Sequence, residues 1–112
     1  MSVASTDNGV ASTILRQLGG WKFINMTGAT YVVGDENSLA FSLPRKRGYV
    51  KNAINKVRIT LDPSDTYTIK FMKVGRRNGG FDIKIVAETS DIYCDVLQEV
   101  FTRHTGLTTR VF

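Results

Sequence analysis

Three consecutive runs with a two-residue period constrain this chain more than any other feature. Val57, Ile59 and Leu61 alternate with Lys56, Arg58 and Thr60. Tyr67, Ile69 and Phe71 alternate with Thr68 and Lys70, and Phe81, Ile83 and Ile85 alternate with Asp82 and Lys84. Successive side chains of a strand point to opposite faces, so each run offers apolar residues to a core and polar ones to water. The connections are built for turning. Asp62-Pro63-Ser64-Asp65 joins the first pair, because Pro presets φ and Asp accepts local backbone hydrogen bonds. Residues 75–80, with Arg76, Arg77 and Asn78 between glycines, join the second. Together they predict an antiparallel meander, apolar on one face and polar on the other. Met72, Lys73 and Val74 interrupt the alternation, which marks a bulge or a strand end.

The flanks supply further elements. Val10, Ile14, Leu15 and Leu18 sit at helical spacing, with Ser5, Thr6 or Asp7 as cap and Gly19-Gly20 as stop. Trp21 to Thr27 is rich in β-formers and reads as a strand closed by Gly28. It is apolar on both sides, as in a covered central strand or half of a subunit contact. Residues 30–33 form a second short run before the turn-like Gly34-Asp35-Glu36-Asn37. Leu39, Phe41 and Leu43 then alternate up to Pro44. After residue 89, Thr89 or Ser90 predicts a helix cap, and Asp91 and Asp95 suit the positive helix end. Ile92, Tyr93, Val96, Leu97, Val100 and Phe101 make its apolar stripe, and Gly106 ends it. Residues 107–112 read as a last short strand.

The expected fold is therefore α+β. An antiparallel sheet of five or six strands carries a short N-terminal helix and a C-terminal helix on its apolar face. Residues 1–9 read as a flexible tail, and residues 10–112 as a single domain. At 112 residues and 42% hydrophobic, the chain can bury a core without staples. Cys94 is the only cysteine, which rules out an internal disulfide. Residues 1–9 lack the basic and apolar regions of a signal peptide, and no apolar run approaches the roughly 20 residues of a membrane helix. The expectation is a cytosolic protein without membrane contact.

Charge supplies the functional clue. Residues 44–84 hold eleven Lys/Arg against three Asp/Glu, a local excess of +8, while the whole chain is +5. Concentrated positive charge attracts polyanions, of which nucleic acid is the commonest in a cell. Lys56, Arg58, Lys70 and Lys84 are expected on one exposed sheet face, where they can neutralise phosphates. Arg45, Lys46 and Arg47, with Lys51 beyond, form a basic loop in which Tyr49 can stack on a base. Arg76 and Arg77 add two cations in the second turn. A solvated sheet face and solvated loops explain the same residues without a ligand.

Chemistry-bearing residues are sparse. His104 and Cys94 cannot complete a zinc site without further ligands, and no phosphate-binding glycine loop is present. His104 reads as a helix-terminal residue, and Cys94 as a buried thiol. Asp91, Asp95 and Glu99 fall at four-residue spacing, as on a solvated helix side or an acidic contact surface. Asp62 and Asp65 belong to their turn. No cofactor, metal or catalytic set is expected, and an enzyme is the least favoured reading.

The segments Leu18-Gly19-Gly20-Trp21-Lys22-Phe23 and Met26-Thr27-Gly28-Ala29 resemble a group of small uncharacterised proteins of bacteriophages and prophages. The resemblance continues through Asn37-Ser38-Leu39, Val57-Arg58-Ile59-Thr60-Leu61, Asp65-Thr66-Tyr67 and Thr105-Gly106-Leu107. The basic stretch 44–50 departs from that pattern. The resemblance implies a protein of the bacterial host cytoplasm and brings no site residues. The leading expectation is a non-enzymatic accessory protein that binds DNA or RNA without sequence preference. The alternatives are a protein that blocks a host factor, such as a defence complex, and a virion component. A homo-oligomer is compatible with each.

Overall fold

The register of the strands fixes the architecture. The computed structural model describes residues 9–43 and 54–107, without the side chains of Arg76 and Arg77. Five strands, β1 (Thr30–Gly34), β2 (Ser38–Ser42), β3 (Lys56–Leu61), β4 (Tyr67–Arg77) and β5 (Gly80–Ile92), form one antiparallel sheet in sequence order. Val57 faces Phe71 and Ile59 faces Ile69, while Arg58 faces Lys70 and Thr60 faces Thr68. The apolar and polar faces predicted for these strands are thus in register. The fold is α+β, as the pattern implied. The tail before Gly9, residues 44–53 and residues 108–112 lie outside the described residues, and with them the candidates Arg45, Lys46, Arg47, Tyr49 and Lys51.

Three helices cover the apolar face: α1 (Val10–Leu18), α2 (Trp21–Thr27) and α3 (Leu97–Thr105). Ala11, Ile14 and Leu18 of α1 and Leu97, Val100 and Phe101 of α3 are buried with Leu39, Phe41, Val57, Ile59, Ile69 and Phe71. Three aromatic rings join the layers. Phe23 meets Phe41 and Phe101 edge-on, each at 5.2 Å between ring centroids. Phe41 and Phe101 lie 6.0 Å apart. Gln98 Nε2 donates to the carbonyl of Leu18 at 2.6 Å, tying α3 to the end of α1.

The segment Trp21–Thr27 is a helix, not a strand. Its core-facing residues are Phe23, Ile24 and Thr27, which is helical spacing, while Trp21 and Met26 are exposed. The Thr27 hydroxyl donates to the Phe23 carbonyl at 2.7 Å, and Gly28 ends the helix in the left-handed region at φ +75. Burial of that stripe overrides the β preference of the individual residues.

The C-terminal helix also starts later than its stripe suggests. β5 continues to Ile92, a 3-10 turn spans Cys94–Val96, and α3 follows. Thr89 and Ser90 are strand residues and cap nothing. Ile92 is buried from the sheet, Tyr93 and Val96 are exposed, and Cys94 is exposed instead of buried. Asp91, in β5, does not share a helix side with Asp95 and Glu99; it takes φ +58 where β5 bulges against β4. His104 does lie in the last turn of α3, with its ring stacked on Phe71 at 4.7 Å.

A second bulge governs the outer half of β5. Phe71 faces Ala87, and the next residue, Met72, faces Ile85, so Val86 is the extra residue. Val86 and Ala87 both pack toward the core. The interruption predicted at Met72 is real, but the insertion lies in the partner strand. Beyond it the alternation inverts. Ile85, Val74 and Ile83 now share the open face with Lys70 and Met72, and Lys84 turns to the helix side. Ile83 and Ile85 therefore do not pack beneath α3; they are 61% and 52% exposed, and Phe81 is 75% exposed.

Candidate nucleic-acid interface

The open sheet face carries Lys56, Arg58 and Lys70, as the alternation predicts. All three are half-buried by their neighbours rather than fully exposed. Lys84 is not among them, because the Val86 bulge places it on the other face opposite Lys73. Two carboxylates temper the face. Arg58 donates to Asp35 Oδ2 at 3.1 Å and to the Ser38 hydroxyl at 3.3 Å. Glu88 stands opposite Lys70 across the β4–β5 ladder. Arg58 and Lys70 are thus flanked by opposite charge, Asp35 reaching Arg58 from the β1–β2 turn and Glu88 lying beside Lys70 in β5. The Asp35–Arg58 contact is solvent-exposed and contributes about 0–1 kcal/mol.

Charge gathers instead at one end of the sheet. β3 starts at Lys56, opposite Met72, and β4 and β5 run on together beyond that point. The resulting two-stranded arm reaches about 17 Å from Met72 to Arg77 at 3.3 Å per residue. Its tip is tighter than the six-residue turn expected from the glycines. Asn78 and Gly79 alone reverse the chain, at φ +48 and +81, and the adjoining Arg77 and Gly80 pair across the strands. Asn-Gly is the preferred pair for such a two-residue hairpin, the signal that should have placed Arg76 and Arg77 in β4.

The arm holds Lys73 and Lys84 directly opposite each other, both exposed, with Arg76 and Arg77 further along β4. Lys73 did not stand out in the sequence, because it falls where the alternation breaks. The connection between Ser42 of β2 and Lys56 of β3 includes residues 44–53, with Arg45, Lys46, Arg47 and Lys51. It originates at the end of the sheet from which the arm projects. Topology thus brings Lys56, the roots of the basic connection and the arm to one pole of the molecule.

Asn55 sets the arm on the sheet. Its backbone N–H donates to the Met72 carbonyl at 3.0 Å. Its carboxamide donates to the Val74 carbonyl and accepts from the Val74 N–H, each at 2.8 Å. The side chain replaces the rung that β3 would have offered had it continued.

Among the described residues, no three His, Cys, Asp or Glu side chains form a group able to hold a metal ion. No described helix is long and apolar enough to cross a membrane. Comparison of the chain with protein-family models, with curated proteins and with solved structures finds no match.

Proposed function

We propose that this protein is a non-enzymatic, phage-type accessory protein of the bacterial cytoplasm that binds nucleic acid through the basic pole. The observation that carries the reading is the convergence of Lys56, the exposed pair Lys73 and Lys84, and strand positions Arg76 and Arg77 at the end where the basic connection 44–53 begins. Lys and Arg neutralise phosphates and release counterions, which gives affinity without sequence readout. Lys70 extends the surface along the open face. Arg58, engaged with Asp35 and Ser38, contributes less than the sequence pattern implied. The phage setting rests on the sequence resemblance alone.

The test is fluorescence anisotropy with labelled single- and double-stranded DNA and RNA over a salt series. Affinity should fall steeply with salt. Lys56→Gln with Lys73→Gln should reduce the slope of log K against log salt by about 2, one per phosphate contact. Neither cation belongs to the buried core, Lys56 being half-buried and Lys73 exposed, so far-ultraviolet circular dichroism should be unchanged. A salt-independent signal, or no binding to any of the four probes at low salt, removes the proposal.

A further inference from the structure

The edge strand β5 carries its own complement. Among the described residues, the side of β5 away from β4 has no neighbouring strand. Its outer half reads Phe81-Asp82-Ile83-Lys84-Ile85, with apolar residues on the open face and charges on the other. Antiparallel pairing of this stretch with a second copy, centred on Ile83, sets Ile83 against Ile83, Phe81 against Ile85, and Asp82 against Lys84 twice. Neighbouring centres fail. Centring on Asp82 or Lys84 opposes like charges, and a half-residue shift puts apolar side chains opposite charged ones.

Backbone direction agrees with that centre. The Val74 N–H and C=O both bond the Asn55 carboxamide, so they point away from β5. Val74 and Ile83 are therefore a non-hydrogen-bonded pair, and the Ile83 N–H and C=O point outward to the open edge. Phe81 and Ile85 share this direction. At the centre the two Ile83 residues would exchange both hydrogen bonds. Asp82 and Lys84 would then form the closely spaced, non-hydrogen-bonded pairs, in which side chains approach most. Within one chain Lys84 stands opposite Lys73, an unfavourable like-charge pair. Asp82 of the second copy would lie on the other side of Lys84 and offset it. A carboxylate has acceptor sites for more than one donor, so this role is compatible with other contacts of Asp82.

We infer that two copies of this chain associate through residues 81–85 of β5, related by a twofold axis at Ile83, to form one continuous ten-stranded sheet. The apolar residues 81, 83 and 85 of both copies then lie side by side on the open face, beside Met72 and Val74 of each. Such a long apolar edge strand is otherwise an aggregation hazard, and a matched partner of limited length closes it. The inference does not rest on nucleic-acid binding, and its test contains none.

Sedimentation equilibrium of the full chain over a concentration series should show a reversible monomer–dimer equilibrium. Asp82→Lys alone, or Lys84→Asp alone, places like charges in both symmetry-related pairs. Each should raise the concentration at half-association by about tenfold or more, and the double variant should restore it. The Ile83 amide should exchange more slowly as concentration rises in the unmodified chain, and independently of concentration in the single variants. A mass of one chain at every concentration overturns the inference. So does a dimer indifferent to the single charge reversals, which would place a partner chain on another surface.

Discussion

Replacing Asn55 with Ala separates the stability of the arm from that of the body. The substitution deletes two hydrogen bonds of 2.8 Å to the backbone of Val74. A net 0.5–1.5 kcal/mol for each gives about 1–3 kcal/mol. Val74 is only half-buried, so water can re-pair part of what is lost, and about 1–2 kcal/mol is the expected cost. The loss falls on the root of the arm, because Asn55 stands where β3 no longer accompanies β4. Amide hydrogen exchange reads this directly. The Val74 N–H should exchange about 5–30-fold faster in Asn55→Ala. The Ile69 N–H, in the three-strand part of β4, should accelerate only as far as the urea-measured global stability falls. Asn55→Asp keeps an acceptor for the Val74 N–H and loses the donor to its carbonyl. Its defect should therefore shrink as acid protonates the carboxyl. Unchanged Val74 exchange in Asn55→Ala would refute the local role. Equal acceleration at Val74 and Ile69, tracking global stability, would refute the separation of arm and body.

Two further outcomes follow from the packing. Phe101 is fully buried between Phe23 and Phe41, so Phe101→Ala should cost about 3–5 kcal/mol in urea denaturation. Phe101→Leu should lose clearly less, and equal losses would exclude ring packing as the cause. The Tyr67 hydroxyl is held above its ordinary pKa of 10.0, first by burial and next by Cys94, with Asp65 adding to the rise and the Gln17 hydrogen bond opposing it. The folded state thus favours the neutral phenol, whose contribution is full below pH 10.0 and is lost as pH rises through the folded pKa. Tyr67→Phe should lose about 0.5–1.5 kcal/mol at neutral pH with the 2.7 Å bond to Gln17. It should also show a shallower alkaline decline, and an unchanged decline would assign that decline to other groups.

The central strands were legible because one pattern and one constraint coincide there. In β3 and the first half of β4 every second residue is apolar, and the sheet has a single covered face, so the register follows. The outer half of β5 carries the same pattern and was misread. Phe81, Ile83 and Ile85 alternate as regularly as Val57, Ile59 and Leu61, yet among the described residues no helix covers them. Periodicity says which residues share a face; it does not say where the covering layer ends, nor that one extra residue at Val86 inverts the faces. The same inversion sets Lys84 opposite Lys73, a pairing that the alternation does not encode. Trp21–Thr27 failed for another reason. Its β-forming residues outvoted the helical spacing of Phe23, Ile24 and Thr27 in a window of two turns, too short for periodicity to decide.

The order of the strands concentrates the entropic cost of folding in one event. Each strand pairs with the next in sequence, so the sheet closes short loops, apart from the longer connection between β2 and β3. The contacts that span most of the chain belong to α3: Gln98 reaches Leu18, 80 residues away, and Phe101 reaches Phe23. Topologies rich in local pairing form quickly, while distant pairings must first offset loop closure. The hairpins can therefore find their register without the last helix. Its docking surface is shared between the sheet, at Phe41 and Phe71, and the N-terminal helices, at Phe23 and Leu18. Through these contacts α3 ties the locally paired hairpins and the two ends of the described chain into one core.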